Sequence, residues 1–192
     1  MKHTPFIFLL TMCALLLSTA AFGDNLKSNT SYFIIHEFYD DNLLCVDGDG
    51  VPRIAPSDSL SDISGAVWTA VKGSGYWLLK NASLNKYLST STANGWSMTT
   101  NTLNYTTDLW DLQTGLSQFV RTRYNGAGTA LGADFSSNVF KPVYYNKSGT
   151  CMDRFHVVPA LQKDGVYDAG YSLKMFKTSA YVNKQGVTEI DD

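Results

Sequence analysis

Three segments of this chain repeat one pattern at a period of about 43 residues. They close alike, on Val67-Trp68-Thr69-Ala70-Val71, Leu109-Trp110-Asp111-Leu112 and Arg154-Phe155-His156-Val157-Val158. They open alike, on Tyr32-Phe33-Ile34-Ile35, Tyr76-Trp77-Leu78-Leu79 and Phe119-Val120. The opening aromatics lie 44 and 43 residues apart, and the closing ones 42 and 45. Two independent landmarks that hold one period mark an internal repeat, and a repeat decides the architecture before any single motif does.

Within each copy, short alternating or aromatic-rich runs are separated by Gly, Asn, Asp and Ser clusters, the pattern of strands and turns. The predicted strands are Tyr32–His36, Leu43–Val46, Val67–Val71, Tyr76–Lys80, Lys86–Ser89, Leu109–Gln113, Phe119–Arg123, Thr129–Gly132, Val139–Tyr145 and Phe155–Val158. No window sustains a capped 3.6-residue apolar period, so the class is all-β. Three repeats with room for four strands each fit a β-trefoil, a six-stranded barrel closed by three hairpins. Closure removes exposed strand edges. Trp68, Trp110 and Phe155 are expected in its core. The repeats span about 31–72, 73–114 and 115–160. Residues 161–192 form a C-terminal extension, where the alternation over Tyr167–Lys177 and the run Ser179–Asn183 predict a hairpin or a partly ordered tail with a mobile acidic end.

Residues 1–23 read as a signal peptide: Lys2 and His3, then apolar Phe6 to Leu17, then Ala21-Phe22-Gly23 before the cut. The expected location is secreted or extracytoplasmic, with no membrane span in the mature chain. Cleavage removes one of 15 basic and none of 17 acidic residues, leaving a net charge of −3 on residues 24–192. With no basic run to neutralise phosphates, nucleic acid is not an expected partner. Cys45 and Cys151 admit two readings. They form a disulfide tying the first repeat to the third, worth about 4–5 kcal/mol in the chain-entropy account, or they are two buried thiols.

Asn42-Leu43-Leu44-Cys45-Val46-Asp47-Gly48-Asp49-Gly50, followed by Ala66-Val67-Trp68, resembles a repeat of the ricin B-type lectins. In that family a Leu-Cys-Val-Asp strand precedes a Gln-x-Trp motif. Gly75-Tyr76-Trp77-Leu78-Leu79-Lys80-Asn81, with Lys86-Tyr87-Leu88-Ser89, is similar to the second repeat of secreted β-trefoil modules. The resemblance covers about residues 31–160. A full Gln-x-Trp is absent; the matching positions read Ala66-Val67-Trp68, Asp108-Leu109-Trp110 and Asp153-Arg154-Phe155.

The resemblance implies a sugar site made of three parts. An Asp after the second strand accepts hydrogen bonds from hydroxyls, a downstream aromatic stacks on the ring, and an Asn adds further bonds. Asp47 and Asp134 match the Asp, each 21 residues before its closing aromatic, where the second repeat has Ser89. Trp96, and Tyr144 or Tyr145, are the stacking candidates. The third repeat, with Asp134, Tyr144, Tyr145 and Asn146, comes nearest to a complete site. Each residue has a plainer reading: Asp-Gly-Asp-Gly at 47–50 is a turn sequence, and Tyr is a common strand residue.

The chain is thus expected to be a secreted, non-catalytic β-trefoil that binds glycans and needs no cofactor or metal. Its mature part holds two histidines and no nucleophile elbow, Ser-His-Asp order or phosphate loop. Two alternatives stand beside this. One is a structural or adhesion module without a small ligand. The other is a Kunitz-type protease inhibitor presenting the Arg53–Ile54 bond within Val51-Pro52-Arg53-Ile54-Ala55-Pro56. Asn29, Asn81, Asn104 and Asn146 head Asn-x-Ser/Thr sequons.

Overall fold

The structure is a computed structural model that describes residues 26–46, 48–73, 76–91, 95–98, 110–122, 129–134, 139–144 and 154–185. The first repeat contributes β1 (Thr30–His36), β2 (Asn42–Val46), β3 (Pro52–Pro56) and β4 (Trp68–Lys72). The second contributes β5 (Trp77–Asn81), β6 (Leu88–Ser91), β7 (Gly95–Met98) and β8 (Trp110–Asp111). The third contributes β9 (Gly115–Phe119), β10 (Arg121–Thr122), β11 (Thr129–Asp134), β12 (Val139–Tyr144) and β13 (Arg154–Pro159). β9 and β10 are one strand interrupted at Val120. β9 pairs with β13 and β10 with β8, so the ring β1–β4–β5–β8–(β10/β9)–β13–β1 closes. This is the six-stranded barrel of a β-trefoil. The hairpins β2–β3, β6–β7 and β11–β12 stand on it, with β3, β7 and β12 in mutual contact.

The inward faces explain the repeat. Tyr32, Ile34, Leu44, Trp68, Leu79, Leu88, Trp110, Val120 and Phe155 share one buried cluster, with Trp77 packed against it. Trp68 donates from Nε1 to the Leu44 carbonyl at 2.8 Å, and Trp110 donates to the Leu88 carbonyl at 3.1 Å. One device thus appears twice, tying each closing tryptophan to the base of its own hairpin. Phe155 fills the third position without a donor. Strand pairing moves one landmark by a residue. Tyr32 faces Trp68, and Trp77 rather than Tyr76 faces Trp110, while Phe155 faces Gln118. Gly65 precedes Trp68 in a 3-10 turn, Ile63–Ala66, and a side chain there would meet the Val46 carbonyl at 2.5 Å.

The C-terminal extension departs from expectation. Where alternation predicts strands over Tyr167–Lys177 and Ser179–Asn183, the chain forms helix α1 (Ala169–Gln185) after a short ribbon, β14 (Gln162–Lys163) with β15 (Val166–Tyr167). Two local causes decide this. Asp168 caps the helix, its Oδ1 accepting the Tyr171 N–H at 2.8 Å. Ala169, Leu173 and Phe176 then fall on one face, at helical spacing. That face packs on Phe33, Ile35, Leu43, Cys45 and Val158, the outward side of β1, β2 and β13. β1 is therefore buried on both faces, which accounts for the unbroken apolar run Tyr32–Ile35. Ser172 is buried at the junction, its Oγ donating to the Asp168 carbonyl at 2.6 Å and accepting the Leu161 N–H at 2.9 Å.

Candidate functional site

Of the residues that the lectin resemblance singles out, Trp96, Asp134 and Tyr144 lie on the described strands of the second and third hairpins. Asp134 ends β11 and faces Val139, whereas Tyr144 ends β12 and faces Thr129. Five residue steps of about 3.4 Å each separate the two, so they stand about 17 Å apart along the ladder. A single sugar ring does not bridge them, and the expected Asp134–Tyr144 pairing is corrected on that ground. Trp96 lies on β7 opposite Thr90, one step from the turn, and Ser89 lies opposite Ser97. Asp134 and Trp96 thus both sit at the turn ends of their hairpins. Asp47, Tyr145, Asn146 and Cys151 lie outside the described residues, as do the sequons at Asn104 and Asn146. Cys45 is buried, with Sγ 3.5 Å from the Arg53 carbonyl.

The first hairpin is built as a tight turn. Asp49 accepts the Val51 N–H at 2.9 Å and a short hydrogen bond from Arg53. The Val51 amide, then Arg53, hold the Asp49 carboxyl below its ordinary pKa. This arrangement bears on the inhibitor alternative. A reactive bond must protrude, but Arg53 pairs with Cys45 on one side and Val139 on the other. Ile54 is 2% exposed, in the barrel core. The Arg53–Ile54 bond is a strand bond, and a protease cannot reach it without opening the hairpin. Asn81 is likewise committed: it is 1% exposed, and its Nδ2 donates to the Gly65 carbonyl at 2.9 Å. Glycosylation there is incompatible with the folded core, whereas Asn29 is exposed on a left-handed turn, φ 60°.

A denser constellation lies where the β1–β2 turn meets β9, β13 and α1. Asp40 accepts from Lys177 Nζ at 2.7 Å and lies 3.6 Å from His156 Nε2. Glu37 accepts a short hydrogen bond from Ser117 Oγ, and its other oxygen is 3.9 Å from Arg154 Nη1. The register of β9 on β13 shifts between Phe155 and Val157, with His156 at the irregularity and Ser117 left-handed at φ 57°. His156 Nδ1 accepts the Ser117 N–H at 3.3 Å. In the sequence His36 and His156 fall within predicted strands, and the spacing of His156 does not bring it to these acids. The signal that could have found this cluster is the acidic–aromatic run Glu37-Phe38-Tyr39-Asp40-Asp41.

Burial lowers the His156 pKa from its ordinary 6.5, and Lys177 pushes the same way against Asp40 and Glu37. Proton uptake at Nδ1 would also set an N–H against the Ser117 N–H. The folded pKa lies below the unfolded one, so the unfolded chain takes the proton first. This contribution to stability is complete above about pH 6.5 and is lost as the pH falls from there through the folded value. The melting temperature should therefore drop between pH 7.5 and 5. His156→Asn, which keeps an acceptor but does not titrate, should flatten that slope; an unchanged slope would assign it to other groups. Asp49 and Asp62 have lowered values, and their contribution fades only below about pH 4.

Among the described residues, no group of three or more His, Cys, Asp or Glu side chains could hold a metal ion. Among them, no helix is long and apolar enough to cross a membrane. No protein-family model and no curated protein matches the chain. Solved structures do match in fold. A ricin B-like lectin of Macrolepiota procera, determined in complex with lactose, aligns at TM-score 0.53 and 13% identity, over 70% of this chain and 98% of the lectin. The Haemophilus ducreyi cytolethal distending toxin aligns at TM-score 0.55 and 14% identity, over 74% and 93%. The Clostridium perfringens endo-β-galactosidase that releases GlcNAcα1-4Gal aligns at TM-score 0.59 and 15% identity, over 69% of this chain. The chain spans only 33% of that enzyme. The fold is a β-trefoil, shared with the ricin B-like lectin at low identity.

Proposed function

We propose that this protein is a secreted, non-catalytic β-trefoil that binds carbohydrate. One observation carries the reading. About 70% of this chain aligns with 98% of a lectin determined in complex with lactose, so the part shared with this chain is nearly that whole protein. Asp134 and Trp96, at the turn ends of separate hairpins, are acceptor and stacking groups of the kind that sugars need. On separate hairpins they serve separate shallow sites, where affinity per site is low and multivalency compensates.

The non-catalytic part rests on how the acid–base groups are used. Asp40 holds Lys177 and faces His156, and Glu37 holds Ser117. These are contacts between elements of the fold, and such structural use of Asp40 and Glu37 supports the non-catalytic reading.

Electrophoresis through gels containing neutral polysaccharides tests the reading. The protein should be retarded in at least one such gel, and the same polysaccharide incubated with the protein should release no new reducing ends. Reducing-end release would make the protein a glycosidase. Unretarded migration through every gel would favour the structural or adhesion reading.

A further inference from the structure

The β1–β2 turn exposes two aromatic rings that the fold does not need outside. Phe38 is 54% exposed and Tyr39 is 50% exposed. Aromatic surface left in water forgoes burial free energy of about 25 cal/mol per Å². Two adjacent half-exposed rings on a short turn therefore mark a contact surface more than a packing remainder.

The rings are held in place. Tyr39 lies against His36, centroids 5.4 Å apart and planes tilted 40°. Phe38 lies 6.3 Å from the same imidazole. His36 is buried and packs edge-on against core Phe155 at 5.6 Å and 87°. A stack thus runs from the barrel core through His36 to Tyr39 at the surface. The backbone is fixed as well. The Phe38 N–H donates to His36 Nδ1 at 3.3 Å, and the Asn42 N–H donates to the Tyr39 carbonyl at 2.8 Å. Glu37 N–H donates to the Arg154 carbonyl at 3.1 Å, and the Asp41 carbonyl accepts Ser57 N–H at 2.9 Å. A platform fixed before binding loses little conformational freedom on contact.

Polar groups of both kinds border the rings. The carboxylates of Asp40 and Asp41 are exposed acceptors, and Lys177, from α1, brings a donor to Asp40 at 2.7 Å. A pyranose has an apolar C–H face and a rim of hydroxyls that both donate and accept. It matches a ring face bordered by carboxylates and an ammonium. The charged groups nearest the turn, Glu37, Asp40 and Asp41 against Arg154 and Lys177, sum to −1, so nothing favours an anionic sugar or an anionic lipid surface. Two rings are also too small a patch for a stable protein partner, which needs about 800 Å² per side.

We infer that Phe38 and Tyr39, with Asp40, Asp41 and Lys177, form a binding site for a neutral pyranose on the β1–β2 turn of the first repeat. This inference rests on the carbohydrate-binding reading and deepens it. The site precedes β2, whereas the lectin pattern places its acceptor after the second strand. It uses none of Asp47, Trp96, Asp134 or Tyr144. Helix α1, which has no counterpart in the repeat, completes it.

Affinity electrophoresis of Phe38→Ala, Tyr39→Ala and Asp41→Ala through galactomannan, xyloglucan and β-glucan tests the site. Each variant is expected to bind the retarding polysaccharide about tenfold or more weakly, with a melting temperature close to wild type. Lys163→Ala, on the exposed ribbon away from every candidate sugar group, should bind as wild type does. Asp41→Ala keeps the test decisive if a ring variant fails to fold, because Asp41 is exposed and its fold contact is made by the backbone. Retardation equal to wild type in all three variants would overturn this site while leaving carbohydrate binding intact. Retardation by heparin and by no neutral polysaccharide would overturn the choice of ligand. Migration of wild type unretarded through every gel would overturn the carbohydrate reading itself, and the site with it.

Discussion

Trp68→Ala should lower the unfolding free energy by about 3–5 kcal/mol, and Trp68→Phe by about 1–3 kcal/mol. The first value is the cost of emptying one of the two fully buried tryptophans among the described residues. The second isolates one hydrogen bond, because Phe keeps most of the volume but leaves the Leu44 carbonyl without its 2.8 Å donor. Against a total stability of about 5–15 kcal/mol, either loss is large. Trp110→Phe should behave in the same way through Leu88. Urea unfolding followed by far-ultraviolet dichroism gives both numbers. A Trp68→Phe loss well under 1 kcal/mol would mean that the carbonyl finds another donor, and the repeated tryptophan tie would then be packing alone.

Leu173→Ala should cost about 2–5 kcal/mol, although it lies outside the threefold repeat. Leu173 is buried against the outward face of β1 and β2, in one cluster with Phe33, Ile35, Leu43 and Val158. Lys174→Ala, one residue on and exposed, should change stability by less than about 0.5 kcal/mol. The contrast separates a docked helix from a tethered one. The Lys177–Asp40 bridge cannot replace the lost packing, since an ion pair this exposed contributes about 0–1 kcal/mol. Equal, small effects of the two substitutions would show that α1 is not part of the cooperative core.

The barrel was legible in the sequence because its inward positions obey one rule in all three copies. Trp68, Trp110 and Phe155 must be large and apolar, and most strand assignments followed from runs between turn residues. What escaped had specific causes. Pro52-Arg53-Ile54-Ala55-Pro56 is absent from the predicted strands because of its two prolines, yet these sit at the two ends of β3, opposite Val46 and Asn42. Prolines there disturb the ladder least. Helix α1 escaped because an alternating apolar–polar reading of Tyr167–Lys177 competed with a helical one. The Asp168 cap and the face of Ala169, Leu173 and Phe176 decided the contest only once a barrel face existed to be covered.

The candidate site was legible in kind more than in place. Aromatic rings and carboxylates were the right groups to seek, but sequence offsets do not reveal strand register. Register places Asp134 and Tyr144 at opposite ends of one hairpin. Phe38 and Tyr39 could not be told from core aromatics by type, since their exposure follows from a turn geometry that is set by Arg154 and His36. The copies agree at the barrel positions and differ where ligands would touch, so the repeat encodes the scaffold and leaves the surface to the individual copies.

The central claim is that this β-trefoil binds carbohydrate, and a glycan array probed with the purified protein over a range of densities tests it most directly. The account predicts a density-dependent signal on a subset of neutral glycans, competed by the free sugar and weakened in Tyr39→Ala. No signal above background at the highest protein and glycan densities would contradict it.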